Sequence, residues 1–132
     1  MERLDAIIEE LIEKAKNILR HSYAPYSGIH VSSAIYTDKG NIYLGVNVEN
    51  SSYGLTICAE RSAIASMVSN GERKPLIVAI ITDYPQPIPP CGACRQVIAE
   101  FNEDAVIAMY SIKSKVKQIV RLSEIFKSPF KL

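Results

Sequence analysis

Apolar residues recur at steps of three and four from Leu4 through Ile7, Ile8, Leu11, Ile12, Ala15 and Ile18 to Leu19. That spacing lays one apolar stripe along a helix and predicts an amphipathic helix over Leu4–Arg20, with Pro25 closing the turn beyond it. The pattern then changes. Ile29–Tyr36 and Ile42–Val48 read as strands, and Asp38-Lys39-Gly40-Asn41 between them is turn chemistry, so together they predict an antiparallel hairpin. A polar stretch, Glu49 to Thr56, leads into a second helix over Cys58–Asn70, which Gly71 ends from a C′ position. Leu76–Thr82 is an apolar run of strand length. Asp83–Pro90 carries four prolines in eight residues, which excludes regular structure. A third helix is predicted over Cys91–Phe101, followed by strands at Val106–Tyr110 and Val116–Arg121. Too few residues separate these two strands for a parallel crossover, so they are predicted to be antiparallel neighbours. The order α-β-β-α-β-α-β-β predicts a layered α/β domain on a five-stranded mixed sheet.

Composition narrows the function classes. The 132 residues are one domain's worth, 1–132, and 48% apolar with 22% charged residues excludes disorder as the main state. Fifteen Lys+Arg against fourteen Asp+Glu leave a net charge of +1, which argues against a nucleic-acid partner. The longest apolar stretch, Leu76 to Ile81, is far short of a bilayer crossing, so no membrane partner is expected. The start Met1-Glu2-Arg3-Leu4-Asp5 lacks the basic and apolar blocks of a secretory signal, and a cytoplasmic location is expected. Three cysteines is an odd count. In a reducing compartment Cys58, Cys91 and Cys94 read as metal ligands or reactive thiols before disulfide partners.

Two of the predicted helices open on cysteine: Cys58-Ala59-Glu60-Arg61, and Pro90-Cys91-Gly92-Ala93-Cys94-Arg95-Gln96. Each follows a strand or its loop, which in an α/β sheet brings both openings to one edge. Three thiolates meeting there would hold Zn²⁺ with the fourth tetrahedral position open, as in a catalytic site. Helix N-termini favour thiolate, and Arg61, three residues after Cys58, can hydrogen-bond the sulfurs and draw off charge; Arg95 is a second candidate. Glu60 is the natural acid–base group. Residues i and i+2 of a regular helix point apart, so Cys58 has to sit at the cap if both side chains are to face one metal-bound water. Taken singly, Cys91-x-x-Cys94 could be a redox pair, Cys58 a small buried hydrophobe and Glu60 a first-turn acid. Their joint occurrence at two helix starts is what the zinc reading explains.

These motifs resemble the zinc signatures of the cytidine deaminases, in their small homotetrameric, three-cysteine form, and the chemistry belongs to zinc deaminases generally. The similarity also runs through Tyr23-Ala24-Pro25-Tyr26-Ser27, Asn47-Val48-Glu49-Asn50-Ser51-Ser52-Tyr53, Glu100-Phe101 and Phe130; the Asn-Val-Glu-Asn run narrows it to nucleoside deaminases. The resemblance implies a three-layer α/β/α fold, one Zn²⁺ per chain held by Cys58, Cys91 and Cys94, and a small-molecule nucleoside substrate. It implies that cytidine or deoxycytidine and water give uridine or deoxyuridine and ammonia, a reaction of pyrimidine salvage, with Glu60 moving protons from the water to N3 and to the departing amine. It further implies that Asn47 and Glu49 read the ribose hydroxyls and that the Ala59 N–H meets the pyrimidine. Tyr53 would lie by the site across a subunit boundary, and Phe130 would cover the base in a neighbouring subunit of a homotetramer. Two departures stand out. Ile29 occupies the place of a Phe that packs on the pyrimidine, and Ser32-Ser33 follow Val31 where Gly-Ala is usual.

Other readings are weaker on the same residues. A blasticidin S deaminase shares the zinc motifs but not the nucleoside-type Asn47–Tyr53 run, and a nucleic-acid-editing deaminase conflicts with the charge balance. A structural zinc module would need a fourth ligand, and there is no fourth cysteine. His21 and His30 read as structural, and Lys113, Lys115 and Lys117 as a solvated strand edge.

Overall fold

The computed structural model describes residues 2–132. Its first helix, α1 (Glu2–Ile18), starts with Glu2 and Asp5 in the positive first turn and buries Ile8, Leu11, Ile12 and Ala15 along the predicted stripe. A short 3₁₀ turn, Leu19–His21, ends it. The strands are β1 (Val31–Thr37), β2 (Ile42–Val46), β3 (Pro75–Thr82), β4 (Val106–Ser111) and β5 (Lys117–Arg121). They form one sheet in the order β2-β1-β3-β4-β5, in which β3–β4 is parallel and β1–β2, β1–β3 and β4–β5 are antiparallel. The helices α2 (Ala59–Ser69) and α3 (Gly92–Phe101) cover the sheet face opposite α1, completing the α/β/α layering.

The two faces are separated by the strand period of two. Ile77, Ala79 and Ile81 of β3 pack towards α1, whereas Val78 and Ile80 pack with Met67 of α2 and Ile98 of α3. Beneath α1 three alanines stand in register across the sheet, Ala34 beside Ala79 and Ala79 beside Ala108. Their small side chains let the bulky face of α1 settle onto three strands at once. The two serines of the Val31–Ala34 segment are fully buried, and both hydroxyls are satisfied. Ser32 donates to the Ala15 carbonyl of α1 at 2.7 Å, and Ser33 to the Ala79 carbonyl of β3 at 2.7 Å.

On the other face, β2 and α2 touch backbone to backbone. A Cβ on Gly45 would lie 2.4 Å from the Ala63 nitrogen and 2.6 Å from the Ala59 carbonyl oxygen. No rotamer change relieves such a clash, so Gly45→Ala is expected to destabilise the fold by at least about 3 kcal/mol. Urea unfolding measures this directly; an unchanged midpoint would mean that α2 does not need this close approach.

Three local expectations are corrected. β2 ends at Val46, not Val48: Val48 instead bridges Tyr23 on one side and Ile57 on the other, so residues 47–49 enter a different set of hydrogen bonds. Lys113 and Lys115 lie in the turn between β4 and β5, where Lys115 adopts φ 60°, and only Lys117 is on the edge strand, paired with Glu9 at 2.6 Å. A short helix, α4 (Leu122–Ile125), follows β5 directly and was not signalled by any periodicity. Among the described residues, no helix is long and apolar enough to cross a membrane.

Candidate metal centre

The chain leaves β3 through the proline-rich loop and re-enters helix at α3, while α2 starts from the segment that bridges Val48. Both helix starts therefore reach the same edge of the sheet. Cys58 is the N-cap of α2, with φ −77° and ψ 157°, and Cys91 is the N-cap of α3, with φ −65° and ψ 171°. Cys94, one turn into α3, is buried. The three sulfurs lie within 4.8 Å of one another, and Cys58 Sγ is 3.5 Å from Cys91 Sγ.

That spacing fits a zinc ion. Sulfurs about 2.3 Å from a tetrahedral centre stand about 3.8 Å apart. The charge pattern fits as well. Cys58 is pulled down to about 5, chiefly by the hydrogen bond from the Cys94 thiol and further by Arg61, against the cost of burial. Cys94 is pushed up by the same contact and by burial. Neighbouring sulfurs can shed all their protons together only beside a cation, which is what a thiolate metal site requires. Backbone geometry supports the set: the Cys94 N–H donates to Cys91 Sγ at 3.5 Å, so the α3 cap also orients a ligand.

Arg61 donates from Nη2 to Cys58 Sγ at 3.7 Å and to the Thr56 carbonyl at 3.2 Å. It thus faces the cluster, as its spacing suggested. Arg95 does not. Its Nε donates to the Pro90 carbonyl at 2.9 Å and its Nη1 to the Ile125 carbonyl at 3.2 Å, tying the start of α3 to the end of α4.

Glu60 is 4% exposed in the first turn of α2. Burial, with a smaller contribution from the nearby Cys58 thiolate, lifts its carboxyl to about 7. It lines a cavity of about 140 Å³ with Val31, Asn47, Thr56, Ala59 and Ile80. Cys58 and Cys91 form part of the same wall, and Ile88 and Pro89 of the proline-rich loop close it. Ala59 is the first residue of α2, so its N–H has no intrahelical acceptor.

The other sequence-selected residues divide. Glu49 and Tyr53 line an adjoining cleft with Tyr26, Ser27 and Asn50, and Thr56 is common to both spaces. Glu49 Oε1 accepts the Tyr26 N–H at 2.9 Å and the Ser27 N–H at 3.1 Å, and Oε2 accepts the Ser27 hydroxyl. The Ser27 hydroxyl is the main reason the carboxyl is held below its ordinary range. Ile29 is half-buried beside this turn and lines neither space. Phe130 is remote from its own chain's cavity, 71% exposed on a tail that lies along α3. Its backbone N–H donates to Gln96 Oε1 at 3.1 Å and its carbonyl accepts from Gln96 Nε2 at 3.0 Å, so one amide side chain clasps the tail as a neighbouring strand would. Lys131 pairs with Glu103 at 2.6 Å. Sequence reasoning missed Val31, Thr56, Ile80 and Ile88 as cavity residues. Only the closeness of Ile88-Pro89 to Cys91 in the chain offered a signal.

Comparison with known proteins places these features. Residues 6–110 match the family model described as the cytidine and deoxycytidylate deaminase zinc-binding region. A cytidine deaminase of Sporosarcina psychrophila is 41% identical over 112 residues, covering 84% of this chain and 82% of its own length. One from Halalkalibacterium halodurans is 38% identical over 121 residues, 91% of each chain. Among solved structures, the cytidine deaminase of Burkholderia pseudomallei aligns with a TM-score of 0.86 at 35% identity, over 92% of this chain and 98% of that one.

Proposed function

The chain belongs to the cytidine and deoxycytidylate deaminase family, and from that premise we infer its reaction: cytidine or deoxycytidine and water give uridine or deoxyuridine and ammonia, with zinc as the cofactor. What carries this reading is the convergence of three cysteine sulfurs from two helix starts beside one buried carboxyl group. Ammonia release from cytidine by the zinc-loaded protein tests it; no release above background would refute it.

Cys58, Cys91 and Cys94 would hold one zinc ion per chain. When bound, zinc makes a water molecule acidic enough to act as a nucleophile at neutral pH. The residues around it handle the proton and the substrate. Glu60 takes one proton from the attacking water and delivers it to N3 of the pyrimidine; it then takes the second proton from the new C4 hydroxyl and passes it to the amine, which leaves as ammonia while the C4 carbonyl forms. A carboxyl poised near neutrality serves in both directions. Arg61 offsets part of the thiolate charge, and the free Ala59 N–H is available to a pyrimidine acceptor.

Asn47 and the ionised Glu49 would read the sugar hydroxyls. A site with polar groups committed to hydroxyls penalises a ligand that lacks them. Free cytosine is therefore expected to show a kcat/KM at least about a thousandfold below that of cytidine, and Glu49→Ala to lower cytidine turnover with zinc retained. Comparable efficiency on base and nucleoside would refute the assignment.

The same reading extends to assembly as a homotetramer. Tyr53, which lines the cleft, is 78% exposed, Leu55 two residues on is 70% exposed, and Tyr26 packs edge-on to Tyr53 at 6.3 Å between ring centroids. Exposed aromatic and apolar side chains grouped beside a site suit a surface that a neighbouring subunit covers. Phe130, held by its backbone with the ring outward, would cover the base in a neighbouring subunit. Phe130→Ala is expected to raise KM several-fold with zinc in place, the scale of an aromatic contact worth about 1 kcal/mol. Wild-type kinetics in Phe130→Ala would reduce the tail to an anchor. We place the reaction in pyrimidine salvage in the cytoplasm, a setting consistent with three free cysteines.

A further inference from the structure

Behind Asn47 lies a chain of side chains that none of the motifs contains. Asn47 Oδ1 accepts the Val31 N–H at 3.1 Å and the Ser22 hydroxyl, and Nδ2 donates to the Ile29 carbonyl at 3.0 Å. These partners permit one orientation of the amide. If it were turned over, its NH₂ would face the Val31 N–H and its oxygen would face the Ile29 carbonyl. One Nδ2 hydrogen is then left over, on a residue that lines the cavity.

Ser22 has a single proton, and Asn47 Oδ1 is an acceptor only, so that proton belongs to the Ser22–Asn47 bond. His30 Nδ1 lies 3.0 Å from Ser22 Oγ and therefore donates to it. His30 is in turn held at both ends of its backbone. Its N–H donates to Asp83 Oδ1 at 2.9 Å, and its carbonyl accepts from Thr82 Oγ1 at 3.0 Å. Ser22 and Asn47 are both buried, whereas the imidazole is half-buried at the edge of the network.

We propose that Ser22 and His30 are positioning residues for nucleoside recognition: the run of donors from His30 through Ser22 to Asn47 fixes and polarises the Asn47 amide, so that its free N–H is a committed donor to a sugar hydroxyl oxygen. The inference rests on the reading of Asn47 as a sugar contact. Chains of hydrogen bonds strengthen one another when each member donates onward, and here every link points the same way, towards the cavity. The half-buried imidazole thereby acts on the substrate without touching it.

The test compares steady-state kinetics on cytidine for zinc-loaded Ser22→Ala, His30→Phe, His30→Asn and Asn47→Ala. Losing one link is expected to raise KM about three- to tenfold in Ser22→Ala and His30→Phe, with kcat within about twofold and zinc content unchanged. His30→Asn keeps an N–H donor at the position of Nδ1 and should retain a KM near wild type. Because His30 is peripheral, its variants keep the comparison valid even if Ser22→Ala folds poorly. A raised KM in Asn47→Ala with a wild-type KM in His30→Phe overturns this inference alone. An unchanged KM in Asn47→Ala overturns the sugar reading and this inference with it. Equal losses in His30→Asn and His30→Phe would also overturn it, since bulk rather than the donor would then matter.

Discussion

Glu60→Gln is expected to lower turnover at least about a hundredfold while the protein keeps its zinc. The amide has the size of the carboxyl and fits the same buried place in the first turn of α2, so the cavity wall is preserved. What it lacks is the ability to carry the water's two protons in turn, the first to N3 and the second to the departing amine. Burial also sharpens the contrast. It lifts the Glu60 carboxyl to about 7, so the proton is easily taken up and easily given away, whereas an amide has no such equilibrium in the working range. KM should change less than kcat. Metal analysis run beside the assay separates two explanations: zinc lost together with activity would make Glu60 a ligand, and the proposed role would be wrong.

Cys91→Ala should remove zinc and activity together. Wild-type protein is expected to carry about one zinc per chain and this variant close to none. Cys91 caps α3 with its sulfur as well as standing in the three-sulfur cluster, so the variant also loses the bond from the Cys94 N–H. A lower unfolding temperature should accompany the loss, since an ion bound only by the folded chain stabilises it by mass action. Stripping the wild-type protein with a chelator should mimic the variant in activity, and adding zinc back should restore only the wild type. The pH dependence has a definite sign. Zinc must displace the proton that Cys94 holds so firmly, so binding releases protons and affinity falls as pH falls. Full activity in a metal-free preparation would overturn the model.

Much of the site was legible because its signals are local. The stripe from Leu4 to Leu19 specifies α1, since a period near 3.6 depends only on neighbours along the chain. Cysteines and a proline at helix starts announced the cluster of three sulfurs, and the demand that Cys58 and Glu60 share one water required Cys58 to be a cap, where the structure has it. The antiparallel pairing of β4 and β5 followed from the shortness of their link.

Side chains whose partners are distant in sequence were decided only by the tertiary structure. Arg61 and Arg95 each lie in the first turn after a cap cysteine, three residues after Cys58 and four after Cys91, yet one meets a sulfur and the other turns to Pro90 and Ile125 because α4 lies beside α3. Glu49 is fixed by Tyr26 and Ser27, and Asn47 by Ser22 and Val31, because Val48 leaves the β2 ladder to bridge Tyr23 and Ile57. Gly45 resembles any strand glycine until α2 is laid against it. The residue types and their periodicity determined which groups could do chemistry, since propensity and capping act within a few residues. Which of those groups meet depends on the order of strands in the sheet, because it is that order, set by burial of two opposite faces, that brings remote loops within hydrogen-bonding distance.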